Sequence, residues 1–224
     1  MIGRSVALAA VLGVCAAGSA NAQYVSGLPR RGSVEIGAAV TLNGGRTDAP
    51  TSATETSNPI VSSTPLTLFR AQASLEPAVG IEGRVGVYLT PAVELEGAGS
   101  FTRPVLAVRL TGDFEGAVDT TADETSTQYL IGGSALYHFG RGRLQPFVFG
   151  GAAFLRQLDA GGVDAQNGTE LHAGGGMKYW FGHGRRRTGL RADARVSSRD
   201  KSGGLDPTKR ITLPVVSAGV VVNF

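Results

Sequence analysis

The sequence closes on "RITLPVVSAGVVVNF" (210–224), where two kinds of residue alternate to the last position. Counting back from Phe224, one face carries Val222, Val220, Ala218 and Val216. The other carries Asn223, Val221, Gly219 and Ser217. One face is apolar and the other mixed, small and polar, which is the period-two signature of a β-strand. Chain ends usually fray, so an alternating strand that runs into a terminal aromatic is expected to be pinned as the closing strand of a barrel.

The same period recurs upstream. It is present in 33–42, 79–90, 92–101, 128–139, 146–156, 170–181 and 189–196, which with the terminal stretch predicts eight strands. In "VGIEGRVGVYLT" (79–90), Val79, Ile81, Val85, Val87 and Leu89 oppose Glu82 and Arg84. In "GLRADARV" (189–196), Leu190, Ala192, Ala194 and Val196 oppose Arg191, Asp193 and Arg195. "PFVFGGAAFLR" (146–156) is apolar on both faces, so alternation alone leaves its orientation open. The connections alternate in length. Thr90-Pro91, 140–145 and 182–187 are short, whereas 43–64, 102–127, 157–169 and 197–211 are long. Short turns at one end and long loops at the other describe an all-β, up-and-down antiparallel transmembrane barrel. Segments 64–77 and 105–116 are expected to carry the second and third strands above the membrane.

A soluble, lipocalin-like barrel would share this alternation with its faces exchanged. Three features favour the membrane. Tyr129, Tyr137, Phe139, Tyr179, Phe181 and Phe224 lie on the apolar face near strand ends, as interfacial girdles do. The polar face is too rich in glycine to coat a soluble barrel. Strand lengths approach the 9–11 residues that cross a bilayer at a tilt.

Charged residues make up 17% of the chain and the formal net charge is +3, too little for a nucleic-acid footprint. Gly132-Gly133, Gly150-Gly151 and Gly174 to Gly176 lie inside predicted strands, where glycine serves close backbone approach rather than phosphate binding. Residues 1–22 read as a signal peptide, with Arg4 ahead of an apolar core and Ala20-Asn21-Ala22 as the cleavage site. Cys15 has a rival reading as a lipoprotein site, disfavoured by the bulk of Val14. Cleavage before Gln23 leaves a mature chain without cysteine, hence without disulfides. Residues 23–31 are then a short periplasmic lead-in, and 32–224 the barrel domain.

On "GRVGVYLTPAVELEGAGSF" (83–101), "QPFVFGGAAF" (145–154) and Phe224, the chain resembles the small bacterial outer-membrane β-barrels of the OmpA-transmembrane-domain and OmpX type, carrying an outer membrane protein β-barrel domain. The resemblance covers about residues 32–224. It implies a bacterial outer-membrane location and an assembly signal, formed by Phe224, Val222 and Val220, that the barrel-assembly machinery reads. Val222 departs from it, since an aromatic often stands there. A peptidoglycan-binding domain, which full-length OmpA proteins carry after the barrel, is not expected here.

The polar face predicts a lumen network of Glu35, Glu82, Arg84, Glu94, Glu96, Lys178, Arg191, Asp193 and Arg195, with His138 and His172 also inward. A tight turn at Thr90-Pro91 is expected to set Arg84 directly opposite Glu96. An eight-stranded interior is just wide enough to be filled by side chains, so a salt-bridged plug is favoured over a gated ion path. Catalysis would need a serine beside a histidine and a carboxylate, and no lipid-facing Ser–His pair stands out. No cofactor and no metal is expected, and no nucleic acid. The acidic second loop (Asp113, Glu115, Asp119, Asp123, Glu124) matches no calcium-loop spacing.

The expected partners are outer-membrane lipids and lipopolysaccharide. Arg30, Arg31, Arg141, Arg143 and Arg185 to Arg187 are placed at the inner leaflet, and Arg199, Lys201, Lys209 and Arg210 in the fourth loop. The protein is expected to be monomeric. The functional expectation is a structural or surface-interaction barrel with long extracellular loops. The alternatives are a narrow porin-like channel and, less favoured, a lipid A-modifying enzyme.

Overall fold

The computed structural model describes residues 29–55, 66–140, 142–158, 165–181, 187–200 and 210–224. The signal peptide, Cys15, most of the 182–187 turn with His183, and Lys201, Asp206 and Lys209 of the fourth loop lie outside them. The strands are β1 (Val34–Asn43), β2 (Arg46–Thr47), β3 (Thr51–Glu55), β4 (Leu66–Leu75), β5 (Ala78–Tyr88), β6 (Val93–Thr102) and β7 (Val105–Thr111). They continue with β8 (Thr120–Thr125), β9 (Thr127–His138), β10 (Leu144–Leu158), β11 (Ala165–Phe181), β12 (Arg187–Arg199) and β13 (Ile211–Asn223). Eight of them close an antiparallel barrel in the order β1-β13-β12-β11-β10-β9-β6-β5.

Its burial is inside-out. Val40, Ile81 and Ile131 are 57%, 63% and 70% exposed, whereas Glu94 and Lys178 are fully buried. A water-soluble barrel would leave that apolar wall wetted at a cost of about 25 cal/mol per Å². In a bilayer the same wall is solvated by acyl chains, so the soluble alternative fails on burial. Tyr129, Tyr137, Phe139, Tyr179, Phe181 and Phe224 all face outward. The strand left open, β10, turns Phe147 and Phe149 inward and Val148 and Phe154 to lipid.

The terminal strand closes the barrel. β13 pairs with β1 from Glu35↔Asn223 to Asn43↔Val215, and Phe224 N–H donates to the Val34 carbonyl at 2.9 Å. The seam is tight: a Cβ on Gly219 would collide with the Ala38 carbonyl oxygen and the Ala39 backbone. Narrow barrels crowd inward-facing atoms, and at such a position only glycine fits.

Two expectations on lengths change. β10, β11 and β12 outrun the predicted segments, with β11 reaching 17 residues. Polar residues such as Gln166 and Asn167, read from the sequence as loop, continue the ladder beyond the bilayer. The β5–β6 turn is also longer than Thr90-Pro91. It spans Leu89 to Ala92, with Thr90 Oγ1 accepting from the Ala92 and Val93 amides at 3.2 and 3.0 Å.

Above the barrel, β2, β4, β7 and β8 form a second sheet in that order, with β3 also on β4. Glu76 N–H to the Val105 carbonyl (2.9 Å) and Ser126 N–H to the Pro104 carbonyl (3.0 Å) join it to the barrel wall. The first two long loops therefore rise as sheet, as 64–77 and 105–116 foretold. The acidic residues Asp113 to Glu124 form the tip and outer strand of this sheet.

Candidate functional site

The lumen is built from alternate residues of all eight barrel strands. Nearest the periplasmic end, Lys178 on β11 gives its three ammonium hydrogens to Glu35 of β1 (2.7 Å), Glu94 of β6 (2.8 Å) and Tyr88 Oη of β5 (3.1 Å). Tyr88 in turn donates to Glu35 at 3.0 Å, and His138 Nε2 donates to Glu94 at 2.8 Å. Carboxylate oxygens of Glu35, Glu94 and Glu96 lie within 4.8 Å of one another, as a metal site would require. Lys178 takes the cation's place against the first two, and Arg191 binds the third. Below this tier, Trp180 Nε1 donates to Gln145 at 2.7 Å and Arg187 is buried inside the mouth.

The middle of the lumen is a ladder of alternating charge. Glu96 meets Arg191, Arg191 Nε donates to Asp193 (3.1 Å), and Asp193 accepts from Arg84 (2.7 Å). Arg84 also donates to Glu82 and to Ser217 Oγ (2.7 Å), and Glu82 accepts from Arg195 at 2.7 Å. The sequence makes this possible in two ways. Arg-x-Asp-x-Arg on β12 and Glu-x-Arg on β5 stack opposite charges along single inward faces. Between those strands, β1 and β13 turn the small residues Gly37, Ala39, Ser217 and Gly219 inward, so Arg84 can reach across. The expected cross-strand pair of Arg84 with Glu96 is not formed. The four-residue turn sets Arg84 opposite Ala98 and Glu96 opposite Gly86, and each finds its partner on β12 instead.

Toward the outer mouth, Ser134 Oγ of β9 lies 2.8 Å from His172 Nε2 of β11, and His172 Nδ1 lies 3.3 Å from Glu170. Alternation had placed His172 inward without naming its partners. Both lie on the inward parity of predicted strands, Ser134 in 128–139 and Glu170 in 170–181, but alternation gives no cross-strand partners. This Ser–His–Glu row faces the interior, not lipid. Beside it is a space of about 20 Å³, room for about one water rather than a substrate. Above, Arg199 donates to Glu170 (2.6 Å), Gln128 (3.2 Å) and Asn43 (3.0 Å). Arg199 is thus a buried lid residue, not the lipopolysaccharide-facing loop cation expected of it: β12 keeps its alternation past Val196 and turns it inward. Arg187 is likewise inside the mouth rather than on an inner-leaflet ring.

All nine predicted network residues are brought together here with His138, also read as inward, and Tyr88, Glu170, Arg187 and Arg199 are added. Among the described residues, the six lumen carboxylates (Glu35, Glu82, Glu94, Glu96, Glu170, Asp193) are paired with Arg84, Lys178, Arg191, Arg195 and Arg199, and Arg187 is a sixth lumen cation. Val220 and Phe224 of the predicted assembly signal face outward on β13, and Val222 stands between them on the same face.

The profile of the outer membrane protein beta-barrel domain matches residues 6–224. The chain belongs to that family. As a member of it, the protein resides in the bacterial outer membrane. The outer membrane protein OprG from Pseudomonas aeruginosa superposes with a TM-score of 0.55 at 10% identity, covering 89% of this chain and 99% of OprG. Neisserial surface protein A matches with a TM-score of 0.49 at 16% identity, over 86% of this chain and 97% of its own. The N-terminal β-barrel domain of OprF from Pseudomonas aeruginosa matches with a TM-score of 0.39 at 21% identity, over 87% and 98%. No curated protein sequence matches the chain. At these identities the OprG likeness speaks to the fold of the barrel family alone.

Proposed function

We propose that this outer-membrane barrel is a non-conducting, non-catalytic anchor that holds its extracellular sheet in position for surface contacts. The ion-pair ladder from Lys178 to Arg199 supports this reading most directly. Each charge in it is held by an opposite charge, and an unpaired buried charge would cost several kcal/mol. Opening a path means breaking several such pairs together. The sheet offers the working surface. β8 is exposed along its whole length, has β7 as its single described neighbour, and carries Asp123 and Glu124. Phe114 and Val118, 64% and 88% exposed, sit at the tip beside it. Contacts made there, with other proteins or with lipopolysaccharide, need no passage through the barrel.

Replacing residues 106–124 by a short turn tests the reading in cells. Surface binding is expected to fall while uptake of small solutes stays unchanged. Reduced uptake with binding intact would contradict it.

A second reading, a narrow ion channel, is favoured by one observation: the lumen is charged from mouth to mouth rather than apolar. Arg84 would then be the gate, since it alone bridges Glu82, Asp193 and Ser217 across the barrel axis. Removing it from a pore should raise conductance, and removing it from a plug should chiefly lower stability.

A further inference from the structure

A groove of about 760 Å³ crosses the outer wall over β13, β1, β5, β6 and β9. Its floor is cut by small outward residues, Ala38, Gly83, Gly99 and Ala218. Glycine there is not a packing necessity. A Cβ on Gly83 would meet nothing within 4 Å, and one on Gly99 only a carbonyl oxygen at 3.9 Å. The extracellular end of the groove is bounded by Phe101 and Tyr129, opposite one another in register with ring centroids 5.3 Å apart.

Two arginines border that aromatic pair. Arg103, two residues beyond Phe101 on the same outward side, lies with its guanidinium 5.6 Å from the Phe101 ring centroid. Arg156 of β10 is opposite Tyr129 in register. Both are exposed, and neither forms an ion pair among the described residues. In the lumen, by contrast, Arg84, Lys178, Arg191, Arg195 and Arg199 are all paired with carboxylates. A cation on the lipid side of a barrel is tolerated near the interface and costs more toward the midplane, so both arginines stand at headgroup level of the long-loop, outer leaflet. Arginine there binds phosphate through paired N–H donors.

We propose that this wall is a binding site for one lipid A molecule of the outer leaflet, an acyl chain in the groove and its phosphates on Arg103 and Arg156. Two arginines beside one groove call for two phosphates on one acylated molecule, which lipid A carries, whereas a diacyl phospholipid brings a single phosphate with its chains. The site is independent of whether the lumen conducts.

The test is native mass spectrometry of the folded protein, released from micelles containing bis-phosphorylated hexa-acyl lipid A, phosphatidylglycerol or phosphatidylethanolamine. Lipid A adducts are expected to exceed both phospholipids. The Arg103→Gln/Arg156→Gln pair should lower them about thirtyfold, taking roughly 1 kcal/mol per arginine at a charged surface. Gly83→Leu/Gly99→Leu fills the groove, keeps both arginines, and should lower them as well. A heat-dependent gel shift checks that each variant is folded. Unchanged lipid A adducts in either folded double variant would overturn the proposal. So would equal binding of phosphatidylglycerol, which would make the wall a general phospholipid surface, or a dimer peak abolished by the glycine substitutions, which would make the occupant a second copy of this chain.

Discussion

Lys178 has three hydrogens to give and three acceptors to receive them, Glu35, Glu94 and Tyr88. Its value is best seen by subtraction. Lys178→Met leaves two buried carboxylates facing each other, and removing one partner of such a cluster costs about 3–5 kcal/mol. Urea unfolding in micelles is expected to show that loss, with part of it recovered in Lys178→Met/Glu94→Gln. At the outer edge, Asp200 accepts from the Thr169 amide (2.6 Å) and hydroxyl (2.7 Å), which holds its carboxyl below the ordinary value, with Arg210 assisting. A lowered carboxylate pKa stabilises the folded form above its unfolded pKa, and that contribution is lost as pH falls through the folded one. The clamp between β11 and the end of β12 should therefore hold at neutral pH and loosen in strong acid, below the usual carboxylate range. Amide exchange at Thr169 against pH measures it, and a Thr169 protection independent of pH would contradict it.

Among single residues, alternation told inside from outside reliably but not partner from partner. Arg84 and Glu96 were correctly turned inward, yet their pairing depended on two extra residues in one turn and on small side chains in two other strands. Arg199 escaped notice because it lies past residue 196, where the predicted strand stops and polar residues look like loop, whereas Glu170 opens the predicted strand 170–181 on the same face as His172 and was simply not carried into the network.

At the scale of elements, the contrast between Gly219 and Gly83 separates the two faces of the wall. Gly219 stands inward at the β1–β13 seam, where a side chain strikes backbone, and Gly83 faces open lipid space. Gly219→Val is expected to abolish the heat-dependent gel shift of the folded barrel, and Gly83→Val to preserve it. Equal behaviour of the two would contradict the closure described here. The eight barrel strands were legible because a bilayer demands a strict polar–apolar alternation. The sheet above it follows a weaker rule. β2, β3 and β8 lie in water on both sides, with little burial to impose a pattern, so Thr-rich segments such as 120–125 read as loop.

For the whole molecule, an apolar exterior, a charge-balanced interior and a terminal strand locked to the first make one closed object. Phe224 belongs to this scale. It carries the last backbone bond of the seam and faces lipid half exposed. We propose that it serves recognition by the assembly machinery more than stability, so deleting it is expected to reduce folded protein in the cell envelope while leaving refolding in micelles largely intact. Equal losses in both settings would contradict that division.

The central claim is that the lumen is a plug. Planar-bilayer recording of the refolded mature chain, after its gel shift on boiling is verified, tests it directly. The account predicts a silent bilayer, with Arg84→Ala showing lower stability in urea before any current. Reproducible step openings of the unaltered protein would contradict the plug.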